Sequence, residues 1–117
     1  MSQSILIQIS LKFSAKIIKL QNYLTKQKKE SIISKQIIRS ATSIGANINE
    51  ANYGSSKADF IAKMHIELKE CAETEYWIRL LKESEYITDE IFDNLIRDCL
   101  SIKKMLVATL NTAKSKI

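Results

Sequence analysis

Apolar residues recur every three or four positions through most of this chain, which is the periodicity of amphipathic α-helices. The predicted helices span residues 4–27, 30–52, 57–84 and 88–114. The first predicted helix has its apolar stripe at Ile5, Ile9, Phe13, Ile17, Leu20 and Leu24. The chain has no proline and only two glycines, so little interrupts these segments. The pattern predicts an all-α protein, with residues 1–117 forming a single antiparallel up-down-up-down four-helix bundle.

The second predicted helix carries two stripes of different character. Its core stripe, whose members fall within about 80° of one another, consists of Ile37, Ala41, Ile44, Ile48 and Ala51. A second stripe, centred roughly 110° away, is called the polar stripe and consists of Gln36, Arg39, Ser43, Asn47 and Glu50. Polar groups in a helix interface fix register and partner once they are hydrogen-bonded. We interpret the polar stripe as a structural or interface element, with contact to a ligand or partner as the alternative.

Two blocks of sequence resemble motifs of a known family. Residues 39–50 read R-S-A-T-S-I-G-A-N-I-N-E, and residues 69–81 read K-E-C-A-E-T-E-Y-W-I-R-L-L. Both are similar to segments of the 23S rRNA intervening-sequence proteins, which are related to accessory proteins of diversity-generating retroelements. The chain departs from that pattern at Ala51 and Asn52, where glycine often follows the glutamate, and at Ile78, which replaces a leucine. The resemblance implies a bundle that assembles as a ring-shaped homopentamer and leaves the biochemical role poorly defined.

The net charge of +5 is unevenly distributed along the chain. Residues 1–49 contain eight basic residues and one acidic residue, whereas residues 50–102 contain six basic and twelve acidic residues. An excess of basic residues in one part of a chain is only weak evidence for nucleic-acid binding. The candidate nucleic-acid contacts are Lys12, Lys16, Lys19, Lys26, Lys28, Lys29 and Lys35. The alternatives are that the same lysines form an ordinary solvated face or meet the acidic face of an adjacent subunit.

Groups that carry catalytic chemistry are scarce. Cys71 and Cys99 fall on apolar stripes, so we expect small buried hydrophobic residues in a reducing compartment. His65 is the only histidine. A zinc site built from these three residues would need a fourth ligand, and no spacing predicts one. The sequence therefore predicts no catalytic residue, no metal site and no cofactor.

Carboxylates cluster on the third predicted helix, at Glu67, Glu70, Glu73 and Glu75. A di-iron bundle would need Glu-x-x-His from two helices and further glutamates from the others, a pattern that this chain lacks. We expect these carboxylates to pair with basic residues of neighbouring helices, Arg39 among them.

The scarcity of catalytic groups, the uneven charge and the resemblance together favour a non-enzymatic oligomer, and the resemblance implies that it forms a ring. We expect it to bind structured RNA or DNA, or to dock a nucleic-acid enzyme such as a reverse transcriptase. Tyr76 and Trp77 are the predicted interface residues, because Tyr76 broadens an apolar surface that is wider than a monomer needs and Trp77 lies off the main apolar stripe. For Trp77, the other interpretation is that its ring covers the end of the bundle. The alternative is a small metal-dependent enzyme or hydrolase of unknown substrate. No apolar run is long enough to span a membrane and no signal peptide is recognisable, so we expect a cytoplasmic protein without membrane contact.

Overall fold

The computed structural model describes residues 3–51, 53 and 56–115, and this part of the chain contains four α-helices and no strand. The helices are α1 Gln3–Lys26, α2 Ile32–Ala51, α3 Lys57–Glu83 and α4 Asp89–Ser115. Every predicted helix is confirmed, with its ends within two residues of the expected positions. Residue 52, the predicted end of the second helix, and Gly54, a candidate helix cap, lie outside the described residues. None of the described helices has the length and apolar character needed to cross a membrane.

Contacts between α1 and α2 give their relative direction. Gly45 of α2 lies against Ser10 of α1, and a Cβ atom added at Gly45 would be 3.3 Å from Ser10 Cβ. One turn further along α1, the Ser14 hydroxyl donates to the carbonyl of Ala41, one turn earlier in α2, at 3.5 Å. Contacts that advance along one helix and retreat along the other show that the two helices are antiparallel. The absent side chain at Gly45 is what permits this close approach.

The next two helix pairs are antiparallel by the same reasoning. Across α2 and α3, Arg39 pairs with Glu73, while Ser43, one turn later in α2, bonds to Glu70, one turn earlier in α3. Across α3 and α4, Lys82 lies 3.7 Å from Asp89 at the beginning of α4, while Glu75, two turns earlier in α3, pairs with Lys103, later in α4. The predicted up-down-up-down four-helix bundle is therefore confirmed, and it measures 48 × 21 × 19 Å.

The bundle closes where α4 returns to α1, and this pair packs less extensively than the other neighbouring pairs. Lys16 of α1 bridges the gap by donating to Asp98 of α4 at 2.6 Å. Beside this bridge, α1 and α4 leave a groove of about 770 Å³ whose floor includes Leu20 and Leu95. The α1–α4 seam is thus held by the Lys16–Asp98 ion pair over less extensive packing than the other seams have.

The core follows an alternating spacing of three and four residues in each helix. In α1 its positions are Leu6, Ser10, Phe13, Ile17, Leu20 and Leu24. The predicted stripe is wrong at the beginning of α1, because Ile5 is 47% exposed and Ile9 is only half-buried. Repeated steps of four residues rotate about 40° further around a helix each time. Alternating steps of three and four stay on one face, which brings Leu6 and Ser10 into the core instead.

The carboxylate of Glu30 holds the beginning of α2. Its Oε2 accepts the backbone N–H groups of Ile32 and Ile33 at 2.9 and 2.7 Å, and its Oε1 accepts that of Ser34 at 2.8 Å. These three donors have no partner within the helix, and the charge of the carboxylate also suits the positive end of the helix dipole. Glu30 is only 7% exposed, so water cannot replace these bonds easily.

Replacing Glu30 with alanine should lower the free energy of unfolding by about 2 kcal/mol, because three buried backbone donors lose a charged acceptor. Urea unfolding monitored by circular dichroism measures this difference. Glu83→Ala is the matched control, since Glu83 is an exposed glutamate at the end of α3. Equal losses in the two variants would show that the carboxylate of Glu30 does not anchor α2.

Candidate functional site

Six of the seven candidate lysines are exposed on the half of the bundle built from α1 and α2. We call these six lysines the basic face, and they are Lys12, Lys19, Lys26, Lys28, Lys29 and Lys35. Within the described residues, none of the six forms an ion pair with a carboxylate. Their ammonium groups are therefore available to an anionic partner, because no internal charge neutralises them.

Lys16 differs from the other candidate lysines. Its ammonium group donates to Asn94 at 2.9 Å and to Asp98 at 2.6 Å, both on α4. A lysine held in this way is occupied in closing the α1–α4 seam. The structure thus separates Lys16 from the basic face, although all seven lysines have the same type of side chain.

The basic face is densest at the turn between α1 and α2. Lys26, Lys28 and Lys29 lie within four consecutive residues, and Lys35 follows on the first turns of α2. Lys28 lies over the ring of Tyr23, with its nitrogen 5.9 Å from the ring centre. The positive charges suit the end of α1, where the helix dipole is negative. The chain therefore concentrates four cations at one corner of the bundle, and we call them the turn lysines.

The same end of the bundle also carries an acidic corner. Because the helices are antiparallel, the α3–α4 turn lies at the same end as the α1–α2 turn. Its exposed carboxylates belong to Glu83, Glu85, Asp89, Glu90 and Asp93. The charge asymmetry of the sequence thus becomes a spatial one, with a basic and an acidic corner at one end of the molecule.

Three central members of the polar stripe lie against α3. Arg39 pairs with Glu70 at 3.4 Å and also with Glu73. The Ser43 hydroxyl bonds to Glu70, and Asn47 bonds to Glu67. Ion pairs as exposed as those of Arg39 contribute little to stability. Their positions nevertheless show which faces of the two helices meet.

The two ends of the polar stripe are different. Gln36 is half-buried and Glu50 is exposed, and neither side chain takes part in the contacts with the α3 carboxylates. The pair that continues the polar contact inside the bundle is instead Ser40 with Thr74, whose hydroxyls lie 2.8 Å apart. Both residues are fully buried. The sequence pattern missed them because serine and threonine on an apolar stripe look like interruptions of it.

Glu67 is the most unusual residue of this seam. Its side chain occupies a core position of α3 and is only 1% exposed. Among the described residues, its Oε1 atom has no hydrogen-bond partner. Burial raises the pKa of Glu67 to about 7, against the opposing effect of the Asn47 hydrogen bond and with a further increase from the charge of Glu70. At neutral pH the protonated and ionised forms of this buried carboxyl group are therefore both populated.

Tyr76 and Trp77 form one aromatic cluster on the outer side of α3. Their rings meet edge to face with centroids 5.1 Å apart. The Trp77 indole N–H donates to Glu73 at 3.0 Å, which links the cluster to Arg39. Tyr76 remains 59% exposed, so the cluster presents an aromatic surface beside the polar seam.

Of the two cysteines and the histidine considered for a zinc site, only the cysteines lie together. Cys71 and Cys99 are both buried, with their sulfur atoms 3.9 Å apart, whereas His65 is exposed. In the part of the chain that the structure describes, no group of three or more histidine, cysteine or acidic residues could hold a metal ion.

Two comparisons relate this bundle to known proteins. The model of the family of 23S rRNA-intervening sequence proteins matches residues 2–108. The chain belongs to this family. A crystal structure of a protein of unknown function from the S23 ribosomal protein family of Bacteroides thetaiotaomicron has a TM-score of 0.92 and 45% sequence identity. That similarity covers 95% of this chain and 99% of the other. No curated protein matches the chain.

The two sequence blocks that resemble the 23S rRNA-intervening sequence proteins face each other in the structure. Residues 39–50 lie on α2 and residues 69–81 lie on α3. Their contacts include Arg39 with Glu73, Ser40 with Thr74 and Ser43 with Glu70. The resemblance therefore follows the polar seam between α2 and α3, rather than the basic face, whose lysines lie on α1, in the first turn and at the beginning of α2.

Replacing Glu67 with glutamine should make the fold less sensitive to pH. Between pH 4.5 and about 7, the folded parent holds a proton on Glu67 that the unfolded chain releases. Stability should therefore fall as the pH rises through this window. Glutamine is neutral at every pH, so the variant lacks this loss of stability. Across the window, the unfolding free energy of the variant should therefore rise by about 3 kcal/mol relative to that of the parent.

Urea unfolding at about pH 4 and about pH 8 measures this change, because protonation of the other acids cancels in the difference. Glu83→Gln, at an exposed position, is the control and should differ from the parent equally at both pH values. A constant difference for Glu67→Gln would mean that its carboxyl group titrates as it does in the unfolded chain.

Proposed function

We propose that this protein is a non-enzymatic subunit of a homo-oligomeric ring that binds structured RNA or DNA through its basic face. The observation that supports this function most directly is the set of six exposed lysines on the α1–α2 half, unpaired among the described residues. Lysine ammonium groups neutralise phosphates whatever the base, so binding would be weak for each subunit and without strong sequence preference. The family takes its name from intervening sequences of 23S rRNA, which agrees with this class of partner.

A ring needs two different surfaces that fit each other, because head-to-tail contacts close into rings. The first candidate surface is on α1, where Leu11 is 69% and Ile18 is 47% exposed. Between them along the same face lies Ser14, which bonds to α2. This apolar surface therefore lies on the side of α1 nearest α2.

The second candidate surface is on α4, where Leu100 and Val107 are each 40% exposed. Between them lies Lys103, which pairs with Glu75 of α3 at 3.5 Å. The second apolar surface is therefore on the side of α4 nearest α3, away from the first surface. Two uncovered apolar surfaces on opposite sides of one protomer support a head-to-tail ring.

The copy number that we propose is five, which rests on the family resemblance. A ring presents the turn lysines once per subunit, so modest contacts add through multivalency. A nucleic-acid enzyme such as a reverse transcriptase is a further proposed partner, because it would act on the same RNA or DNA. We include a cytoplasmic location in the proposal, since the two cysteines are free thiols.

Replacing the turn lysines Lys26, Lys28, Lys29 and Lys35 with glutamine should abolish most binding to an rRNA fragment or a generic duplex at about 50 mM salt. The slope of log affinity against log salt should also become shallower, because fewer counterions are released. Fluorescence anisotropy measures both quantities. The matched control replaces four exposed lysines outside the basic face, namely Lys57, Lys69, Lys104 and Lys114.

The two quadruple variants change the net charge equally, so a general loss of attraction would weaken both. Selective loss in the turn-lysine variant, with an unchanged oligomer, supports the proposed interface. Equal affinities in both variants, or no binding by the parent at this salt concentration, would overturn the nucleic-acid function.

Replacing Leu11 and Ile18 with lysine should dissociate the ring, because two charges would enter an apolar contact. Leu100→Lys with Val107→Lys should have the same effect from the opposite surface. Light scattering coupled to size-exclusion chromatography measures the mass, and circular dichroism checks that the helices remain. Ile32→Lys is the control, since Ile32 is 77% exposed and belongs to neither surface.

The sequence also predicts an interface at the aromatic cluster. Tyr76→Lys tests that interface by the same measurement of the oligomer's mass. A parent that is monomeric at about 10 μM, a concentration at which specific complexes are normally formed, would contradict the ring. Retention of the parent's mass by both double variants would show that the apolar surfaces do not form it.

A further inference from the structure

Two thiols meet in the middle of the α3–α4 interface. Cys71 is 0% and Cys99 is 1% exposed, and their sulfur atoms are 3.9 Å apart. Each sulfur also lies near the backbone carbonyl of the other cysteine, at 3.5 Å for Cys71 Sγ and 3.6 Å for Cys99 Sγ. Because the contact is reciprocal, each side chain points at the other and the two helix backbones lie close together.

This pairing is a product of the antiparallel register of α3 and α4. The residues are 28 positions apart in sequence, and both occupy core positions of their helices. A shift of either helix by one residue would rotate one thiol by about 100° out of the contact. To bond, the two sulfurs must approach from 3.9 Å to the length of a disulfide bond, about 2 Å.

The two thiols are chemically unequal. The hydrogen bond from Cys99 lowers the pKa of the Cys71 thiol, and Lys103 on α4 lowers it further against the effect of burial. The same hydrogen bond, together with burial, raises the pKa of Cys99. The thiolate is the form of cysteine that reacts with oxidants. Cys71 is therefore the sulfur expected to react first, and Cys99 is the thiol in place to resolve the product.

We propose that Cys71 and Cys99 are a modification site at which hydrogen peroxide forms a reversible disulfide between α3 and α4. The Cys71 thiolate attacks one peroxide oxygen, the O–O bond breaks, and the sulfur becomes a sulfenic acid as one water is released after protonation. The Cys99 sulfur then attacks the Cys71 sulfur, the S–O bond breaks, and the leaving hydroxide takes the Cys99 proton as a second water. In total, two thiols are oxidised by two electrons and one peroxide is reduced to two waters.

Peroxide is the oxidant of choice because it is small enough to enter a core that excludes larger disulfides. Its entry still requires local opening of the bundle, so the reaction should be slow compared with that of an exposed thiol. The bond closes a loop that contains the end of α3, the turn and the beginning of α4. Such a link restricts the unfolded chain and should raise the melting temperature. The proposal does not depend on the nucleic-acid function.

The test treats the full chain with hydrogen peroxide and analyses it by intact mass and by peptide mapping without reduction. We expect the loss of two hydrogen atoms, a peptide in which Cys71 is linked to Cys99, and a melting temperature higher by several degrees. A phosphine reductant should reverse all three changes. Oxygen addition at methionine is distinguished because it increases the mass.

Cys71→Ser and Cys99→Ser are the controls, with folding checked by circular dichroism. At the same peroxide dose, neither should lose two hydrogens nor gain melting temperature. The proposal is overturned if the parent thiols remain free, as titrated in denaturant after treatment. It is also overturned if they become sulfinic acids or intermolecular disulfides, since the native geometry would then not direct the bond within the chain.

Discussion

The structure depends on polar groups that are buried between α2 and α3 and therefore require partners. Ser40 bonds to Thr74, and Asn47 bonds to Glu67. Ser40, Thr74 and Glu67 are buried at positions that apolar residues would normally occupy. Leaving one such group unpaired costs about 1–3 kcal/mol, so a shifted register would be penalised at several positions together. α2 also packs on α1, and α3 also packs on α4. The α2–α3 interface therefore joins the two halves of the bundle.

The basic residues of the bundle fall into two groups, those paired with carboxylates inside the bundle and those left exposed. Lys16 and Arg39 are used within the chain, where they bond to carboxylates across the α1–α4 and α2–α3 seams. The turn lysines and the acidic α3–α4 turn remain exposed at one end of the bundle. A chain with a basic and an acidic corner can present its cations to a polyanion or, in the proposed ring, to the acids of another copy. The lysine variants proposed above separate these possibilities because they report binding and mass independently.

Glu67 and the cysteine pair place titratable groups inside a small helical core. Glu67 is buried and half-satisfied, so it couples folding to proton uptake. The cysteines are buried and paired, so they couple the α3–α4 interface to the oxidation state of sulfur. Both effects arise from packing that brings groups from different helices together, and both act through the stability of the bundle.

The sequence by itself determined the number, the limits and the order of the helices, because a spacing of three and four residues is a local property. It also identified the polar stripe and the uneven charge. Only the tertiary structure decided that Ser10 and Glu67 occupy core positions, that Lys16 is bound to Asp98, and that Cys71 meets Cys99. These facts depend on which faces of helices distant in sequence meet, and on a register that one residue's shift would change. Periodicity along a single helix carries no information about either.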